Sequence, residues 1–288
     1  MQYPGLFTAA ERLSRDGQNK QKSFVGFSLL ANFAAAALAS PAEHYLWAAV
    51  GMFACLVAGV GLSFALLILK PQADWYNGRA VAESVKTLAW RFATCTEPYR
   101  YGLSEKEADL LFVGAMRKVL EEASSITAGL FTEAADSLQI TDDMRMARRA
   151  DTCDRRDFYL EARVKDQQGW YARSSQRNRK MERAWSGAFI VTQMLALIFA
   201  GLALTLGSTS IIAVGIITTL GSGMVAWQQQ NQFGALASAY SVTSQELSLI
   251  QTSMIHCSTD KELSDFILSA ERAISREHTF WLARRREP

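Results

Sequence analysis

The side chains here most capable of chemistry are three histidines, four cysteines and a run of arginines. His44, His256 and His278 lie far apart in the chain. His256 adjoins Cys257, and adjacent residues do not put two metal ligands on one helix face. His278 follows Glu277, a pair suited to proton transfer only where a pocket brings a substrate to it. Cys55, Cys95, Cys153 and Cys257 form no CxxC and no metal-ligand spacing, so they read as reduced, structural thiols. No Walker sequence and no GxGxxG turn opens a helix. Gly221-Ser222-Gly223 falls inside an apolar run and reads as helix packing. No catalytic residue, metal ligand or cofactor is therefore expected, and the chain is not read as an enzyme.

The arginines raise a different possibility. Arg145, Arg148, Arg149, Arg155 and Arg156 could hold an anion, either a phosphate-bearing ligand or acidic lipid headgroups. Asp142, Asp143, Asp151, Asp154 and Asp157 interleave with them. A solvated, salt-bridged helix face fits that pattern better than a ligand site. No motif supports sequence-specific binding of nucleic acid.

The elements that carry these residues are set by apolar runs. The 288 residues leave room for two domains. Residues 24–40, 46–69, 186–206 and 208–227 contain no Asp, Glu, Lys, Arg or His. Crossing ~30 Å of hydrocarbon takes roughly 20 such residues, so four transmembrane helices are expected, as two hairpins. Ala37-Leu38-Ala39 before Ser40-Pro41 resembles a signal-peptide cleavage site. A polar segment precedes that run, however, and a second run begins at Leu46, so the segment is expected to stay. Of the 30 Lys and Arg, none lies in the connectors 41–45 and 207. The excess of basic residues marks the cytoplasmic side, so both hairpins turn outside and both termini face the cytoplasm. The net charge of +2 is uninformative beside this distribution.

The second hairpin looks like a copy of the first. Displacing the chain by 161 residues lays Phe24 on Trp185, Arg12 on Arg173 and Lys22 on Arg183. Asn32 falls on Gln193, the one amide in each of those spans, and Ala31, Ala35 and Ala39 fall on Thr192, Ala196 and Ala200. Register across cationic, amide and small positions argues for duplication. Small residues also recur every fourth position in the other spans, at Gly51, Cys55, Gly59 and Ser63 and at Gly215, Thr219 and Gly223. Such stripes let helix backbones approach in lipid, within one chain or between copies.

Outside the spans the pattern is helical, so the fold class expected is all-α. Ser104-x-x-Glu107 and Thr259-x-x-Glu262 are capping boxes, and Thr141 is a further cap. From about Arg155 the pattern continues to Leu206 as one long helix. Residues 74–92, DWYNGRAVAESVKTLAWRF, follow the second span directly. On a helix Arg79 and Glu83 are one turn apart, as are Glu83 and Lys86. Lys86 is one turn from Trp90, within reach of a cation–π contact, and Trp75 suits the membrane interface. These residues read either as a charged, lipid-proximal helix or as a cluster that docks this helix on others.

The run WYNGRAVAESVKTLAWRF after a two-span hairpin resembles the signature of the SLATT superfamily, membrane effector domains associated with nucleotide signalling in bacteria. DFYLEARVKDQQGWYARSSQRNRKMERAW, from Asp157, and the tail AERAISREHTFWLARR, from Ala270, resemble another subfamily, also labelled DUF4231. The resemblance implies a tandem protein, with a first unit of residues 1–140 and a second of 141–288. It implies an effector that forms a pore or disrupts the inner membrane when infection raises a nucleotide signal; two hairpins alone enclose little, so copies of the chain must assemble for a pore. It gives helix-docking roles to Trp75, Arg79, Glu83, Lys86 and Trp90, and to Glu271, Arg276, Glu277, His278 and Trp281 in the tail. No separate nucleotide-recognition domain is visible. The trigger, such as a cyclic oligonucleotide, must bind the cytoplasmic helices or act through a nucleotide-sensing partner.

The partners expected are the bilayer and further copies of the chain. A coupled transporter needs an ionisable residue within the membrane, and these spans have none. Asn32 and Gln193 either line a pore or hydrogen-bond between helices. The remaining alternative is a membrane-anchored scaffold that conducts nothing.

Overall fold

The computed structural model describes residues 1–123, 137–206 and 208–284, with side chains at 1–123, 137–204 and 211–275. All regular structure among the described residues is helical. The chain divides into two compact units, each drawn from several stretches of sequence.

The membrane unit comprises Asn19–Pro71 and Gln176–Ala237. It holds the apolar half of α1 (Gly5–Ala42), α2 (Leu46–Leu69), the apolar half of α7 (Asp166–Leu206) and α8 (Ser208–Asn231). Each contains a window apolar and long enough to cross a bilayer. Only between 6% and 11% of those windows is buried. Phe53 and Leu67, each 69% exposed, are typical of the outward side chains. A buried soluble core would look the opposite; these faces are made for lipid. The chain is a multi-pass, all-α membrane protein.

The two hairpins repeat one construction. α2 ends at Lys70, whose φ of 44° is left-handed and whose N–H donates to the Leu66 carbonyl. Pro71 then opens α3 (Pro71–Ala93), where its missing N–H costs nothing. α8 ends likewise at Gln232, with φ 50° and its N–H on the Gln228 carbonyl, before α9 (Phe233–Met254) begins. Within the first hairpin a Cβ on Gly59 would lie 3.3 Å from Asn32 Oδ1. Within the second, a Cβ on Gly221 would lie 3.2 Å from Gln193 Nε2. Each glycine thus lets an amide-bearing span close on its partner. Gly51 does the same for Leu38, whereas Gly215 and Gly223 face open space. The stripe in α8 is therefore not what joins the hairpin; Gly221 beside it is. Trp185, just before the apolar run of α7, and Trp227, at the close of that of α8, meet with ring centroids 6.4 Å apart.

The extramembrane unit comprises Met1–Gln18, Gln72–Ser175 and Ser238–Pro288. It adds α4 (Glu105–Ala123), α5 (Asp142–Arg149), α6 (Thr152–Tyr159) and α10 (Asp260–Arg284). A π-helical segment, Leu160–Lys165, joins α6 to α7. The helix expected from Arg155 to Leu206 is thus continuous, but its hydrogen-bond register changes once. Its starts are capped as the sequence suggests. Ser104 Oγ accepts from the Glu107 N–H and Glu107 Oε2 from the Ser104 N–H, at 3.3 and 3.0 Å. Thr259 and Glu262 repeat the exchange, and Thr141 Oγ1 accepts from the Met144 N–H.

One hydrophobic cluster collects Leu6, Ala9 and Ala10 of α1, Val81, Val85, Ala89 and Phe92 of α3, Ala108, Phe112 and Met116 of α4, and Met144 of α5. The three- and four-residue spacing of these positions is that of one helix face. α1 and α3 approach so closely that a Cβ on Gly78 would sit 2.6 Å from the Ser14 nitrogen and 2.8 Å from the Ala10 oxygen. Ser14 Oγ donates to the Trp75 carbonyl across the same contact, at 3.0 Å.

Candidate functional site: a buried arginine–glutamate centre

Tyr159 and Arg163 stand one turn apart where α6 enters the π-helical segment. Such segments occur mostly as single turns, often at functional sites, because they shift side-chain direction within a helix. On α10, Leu263, Ile267, Ala270, Glu271 and Ile274 form one buried row. Glu271 is the charged member of that row, 3% exposed, and Arg163 opposite it is 1% exposed.

Arg163 donates from Nε to Glu271 Oε1 and from Nη2 to Oε2, both at 2.9 Å. Tyr159 donates to Oε1 at 2.8 Å and Thr87 of α3 donates to Oε2 at 2.7 Å. The carboxylate therefore accepts from three side chains, on α3, on α6 and in the π-helical segment. Bidentate pairing and complete acceptance are what a buried carboxylate requires. Arg163 Nη1 has no hydrogen-bond partner among the described residues. Burial opposes the charge on Arg163, but Glu271 beside it more than compensates, and its pKa rises. Burial pushes the Tyr159 phenol well up, with the Glu271 charge adding to the effect.

Aromatic rings extend this centre. Trp90 packs edge-on to Tyr159 at 5.4 Å and against Phe158 at 5.3 Å. Its Nε1–H donates to the Tyr3 hydroxyl at 3.0 Å. Lys86 lies over the rings of Tyr3 and Phe7, at 5.5 and 5.6 Å. Burial lowers its pKa and nearby Arg163 lowers it further, while Glu83, Glu271 and Glu11 pull the other way. Tyr3 and Phe7 also wall a cavity of about 820 Å³, shared with Arg12, Thr141 and Asp142.

The structure thus brings together Lys86, Trp90 and Glu271 of the expected docking residues. Glu83 and Arg79 lie half-buried on the same helix. Trp75 is half-buried, its ring 4.9 Å from that of Tyr76. Arg276, Glu277, His278 and Trp281 belong to α10, but their side chains lie outside the described residues. Thr87, Tyr159 and Arg163 were not singled out from the sequence. A lone carboxylate in the apolar row of α10 was the available signal that a buried cation must face it.

The five-arginine group does not form one face. Arg145 makes a bidentate pair with Asp109 at 2.9 and 3.1 Å, and Arg149 pairs with Glu105 at 2.8 Å. Both acids belong to α4, not to the interleaved aspartates. Arg148 is buried and donates to the carbonyls of Phe92, Tyr99 and Arg100, which pins the loop between α3 and α4. Arg155 is buried against Asp260, Thr152 and Cys95 Sγ. Arg156 pairs with Asp157 and donates to the Cys257 carbonyl. Two of the five are core residues, so neither a solvated face nor a single anion patch describes the set.

In the membrane unit Asn32 and Gln193 are both exposed. The hydroxyls of Ser63, Thr192, Thr218, Thr219 and Ser222 turn back onto carbonyls of their own helices. The two amides do not; among the described residues they have no hydrogen-bond partner.

Residues 4–156 match the family model described as "SMODS and SLOG-associating 2TM effector domain 3". Residues 159–281 match the one described as "SMODS and SLOG-associating 2TM effector domain 1". No curated protein and no solved structure matches the chain. Two hairpins of one construction, each leading into further helices, are what two such domains in succession would provide, and the chain belongs to the SLATT family as a tandem of two SLATT domains.

Proposed function

We propose that the protein is an oligomeric membrane effector that opens a pore or disrupts the bacterial inner membrane when triggered. The trigger is a nucleotide signal or a partner carrying it, and the outcome is growth arrest or death of the infected cell in defence against phage. Both termini lie in the cytoplasm, as the distribution of Lys and Arg suggests. The observation that carries this reading is continuity. α1 and α7 each supply residues to both units within one uninterrupted helix. A signal that favours one arrangement of the extramembrane helices then shifts the spans as well, since a ligand moves an equilibrium by its differential affinity for two states. The cavity beside Tyr3 and Phe7, at the start of α1, suits direct binding. In the resting state the apolar faces keep any channel dewetted.

The test is release of two dyes of different size from vesicles holding the purified protein, with and without a panel of cyclic oligonucleotides. Ligand-dependent release is expected, and the dye sizes bound the opening. Constant release would mean a pore whose brake is a missing partner. No release under any condition, with insertion verified, would replace the pore by a scaffold that recruits partners without conducting.

A further inference from the structure

We propose that Asn32 of one copy hydrogen-bonds to Gln193 of the next within the membrane, so that copies join head to tail. This rests on the oligomeric reading above and specifies its interface. Each carboxamide carries two donors and an acceptor. Water within the spans is scarce, and an amide with no partner there is costly. Hydroxyl side chains of the other spans, and Thr192 beside Gln193, have solved that problem locally by bonding to their own backbones. Asn32 and Gln193 remain exposed with no partner among the described residues.

Depth makes the pairing geometrically possible. Asn32 follows Phe24 by eight residues and Gln193 follows Trp185 by eight, at the starts of equivalent spans running in the same direction. At 1.5 Å per residue both amides lie ~12 Å along their spans. Two copies in one bilayer therefore present them at the same level. The backing is equivalent too, since Gly59 and Gly221 hold the neighbouring span close behind each amide. A contact between unlike positions leaves one free amide at each end of any row of copies. Closing the row into a ring satisfies all of them, which is how heterologous interfaces produce closed assemblies. A two-fold dimer through Asn32 would leave every Gln193 unmet.

The test uses the full chain in phosphatidylethanolamine–phosphatidylglycerol vesicles. Two differently tagged populations, Asn32→Cys and Gln193→Cys, are mixed and treated with a membrane-permeant oxidant. The parent chain with its native Cys55, Cys95, Cys153 and Cys257 gives the background. Mixed-tag disulfide dimers well above background are expected. Asn32→Leu and Gln193→Leu should each weaken association by about three- to tenfold, and Asn32→Gln should preserve it. Predominant Asn32→Cys self-crosslinking would overturn the proposal. So would labelling of either cysteine by a membrane-impermeant maleimide, which would place the amides on water. If the leucine variants associate and leak like the parent, the interface is wrong and the effector reading stands. If the parent neither associates nor leaks with insertion verified, both fall.

Discussion

At the scale of single residues, the Arg163–Glu271 pair makes the sharpest claim. Removing one partner strands the other charge in the core, whereas replacing both with apolar side chains removes the desolvation cost as well. Arg163→Met should destabilise the extramembrane unit by about 3–5 kcal/mol. Adding Glu271→Leu should restore a large part of that, as read by tryptophan fluorescence during denaturation in detergent. Tyr99 makes a separate claim about pH. Burial raises its phenol from 10.0 to about 12, and its hydroxyl has no hydrogen-bond partner among the described residues. The unfolded chain loses this proton near 10 and the folded chain keeps it, so the unfolded state binds fewer protons between those values. Stability must therefore fall as pH rises through that window, by up to roughly 3 kcal/mol from this group. Tyr99→Phe should flatten the alkaline loss and cost nothing at neutral pH, because a buried hydroxyl without a partner contributes no stability. Unfolding curves of both proteins from pH 7 to strongly alkaline conditions decide it.

At the scale of elements, much was legible in the sequence because the signals are local. Charge-free runs of membrane length gave the spans, and Ser104–Glu107 and Thr259–Glu262 gave helix starts. What was not legible depends on distant partners. The register change at Leu160–Lys165 leaves no local mark, and Arg148 and Arg155 read as surface charges because the carbonyls and acid that hold them are far away in sequence. Periodicity put Trp90 within reach of Lys86; the rings under Lys86 include Tyr3, just ahead of α1, and Phe7 on its first turn, which no local pattern could name. The packing of α1 on α3 gives a test at this scale. A methyl group on Gly78 would collide with backbone atoms at Ala10 and Ser14, which cannot rotate away. Gly78→Ala should part the two helices and cost more than the roughly 1–3 kcal/mol of ordinary overpacking. Its signature is a lowered unfolding midpoint, although alanine is the better helix former.

At the scale of the whole molecule, the effector reading makes the charge near Arg163 and Lys86 a control point. Glu83 raises the pKa of both, so it favours their charged forms. Glu83→Lys replaces an attraction with a repulsion while leaving the spans untouched. Signal-triggered dye release should fall about tenfold or more, with membrane insertion unchanged; normal release would remove Glu83 from the docking role. The sequence distance between the members of the buried centre has a further consequence, for biosynthesis. Glu271 meets Arg163, 108 residues earlier, and Thr87, 184 residues earlier. Both hairpins leave the ribosome before α10 does, so the spans can insert while the extramembrane core still lacks its carboxylate. A copy cut short by a stalled ribosome or a broken message carries an unpaired Arg163 that no folded core will accept. Unfinished copies are thus expected to be cut by proteases faster than the full chain.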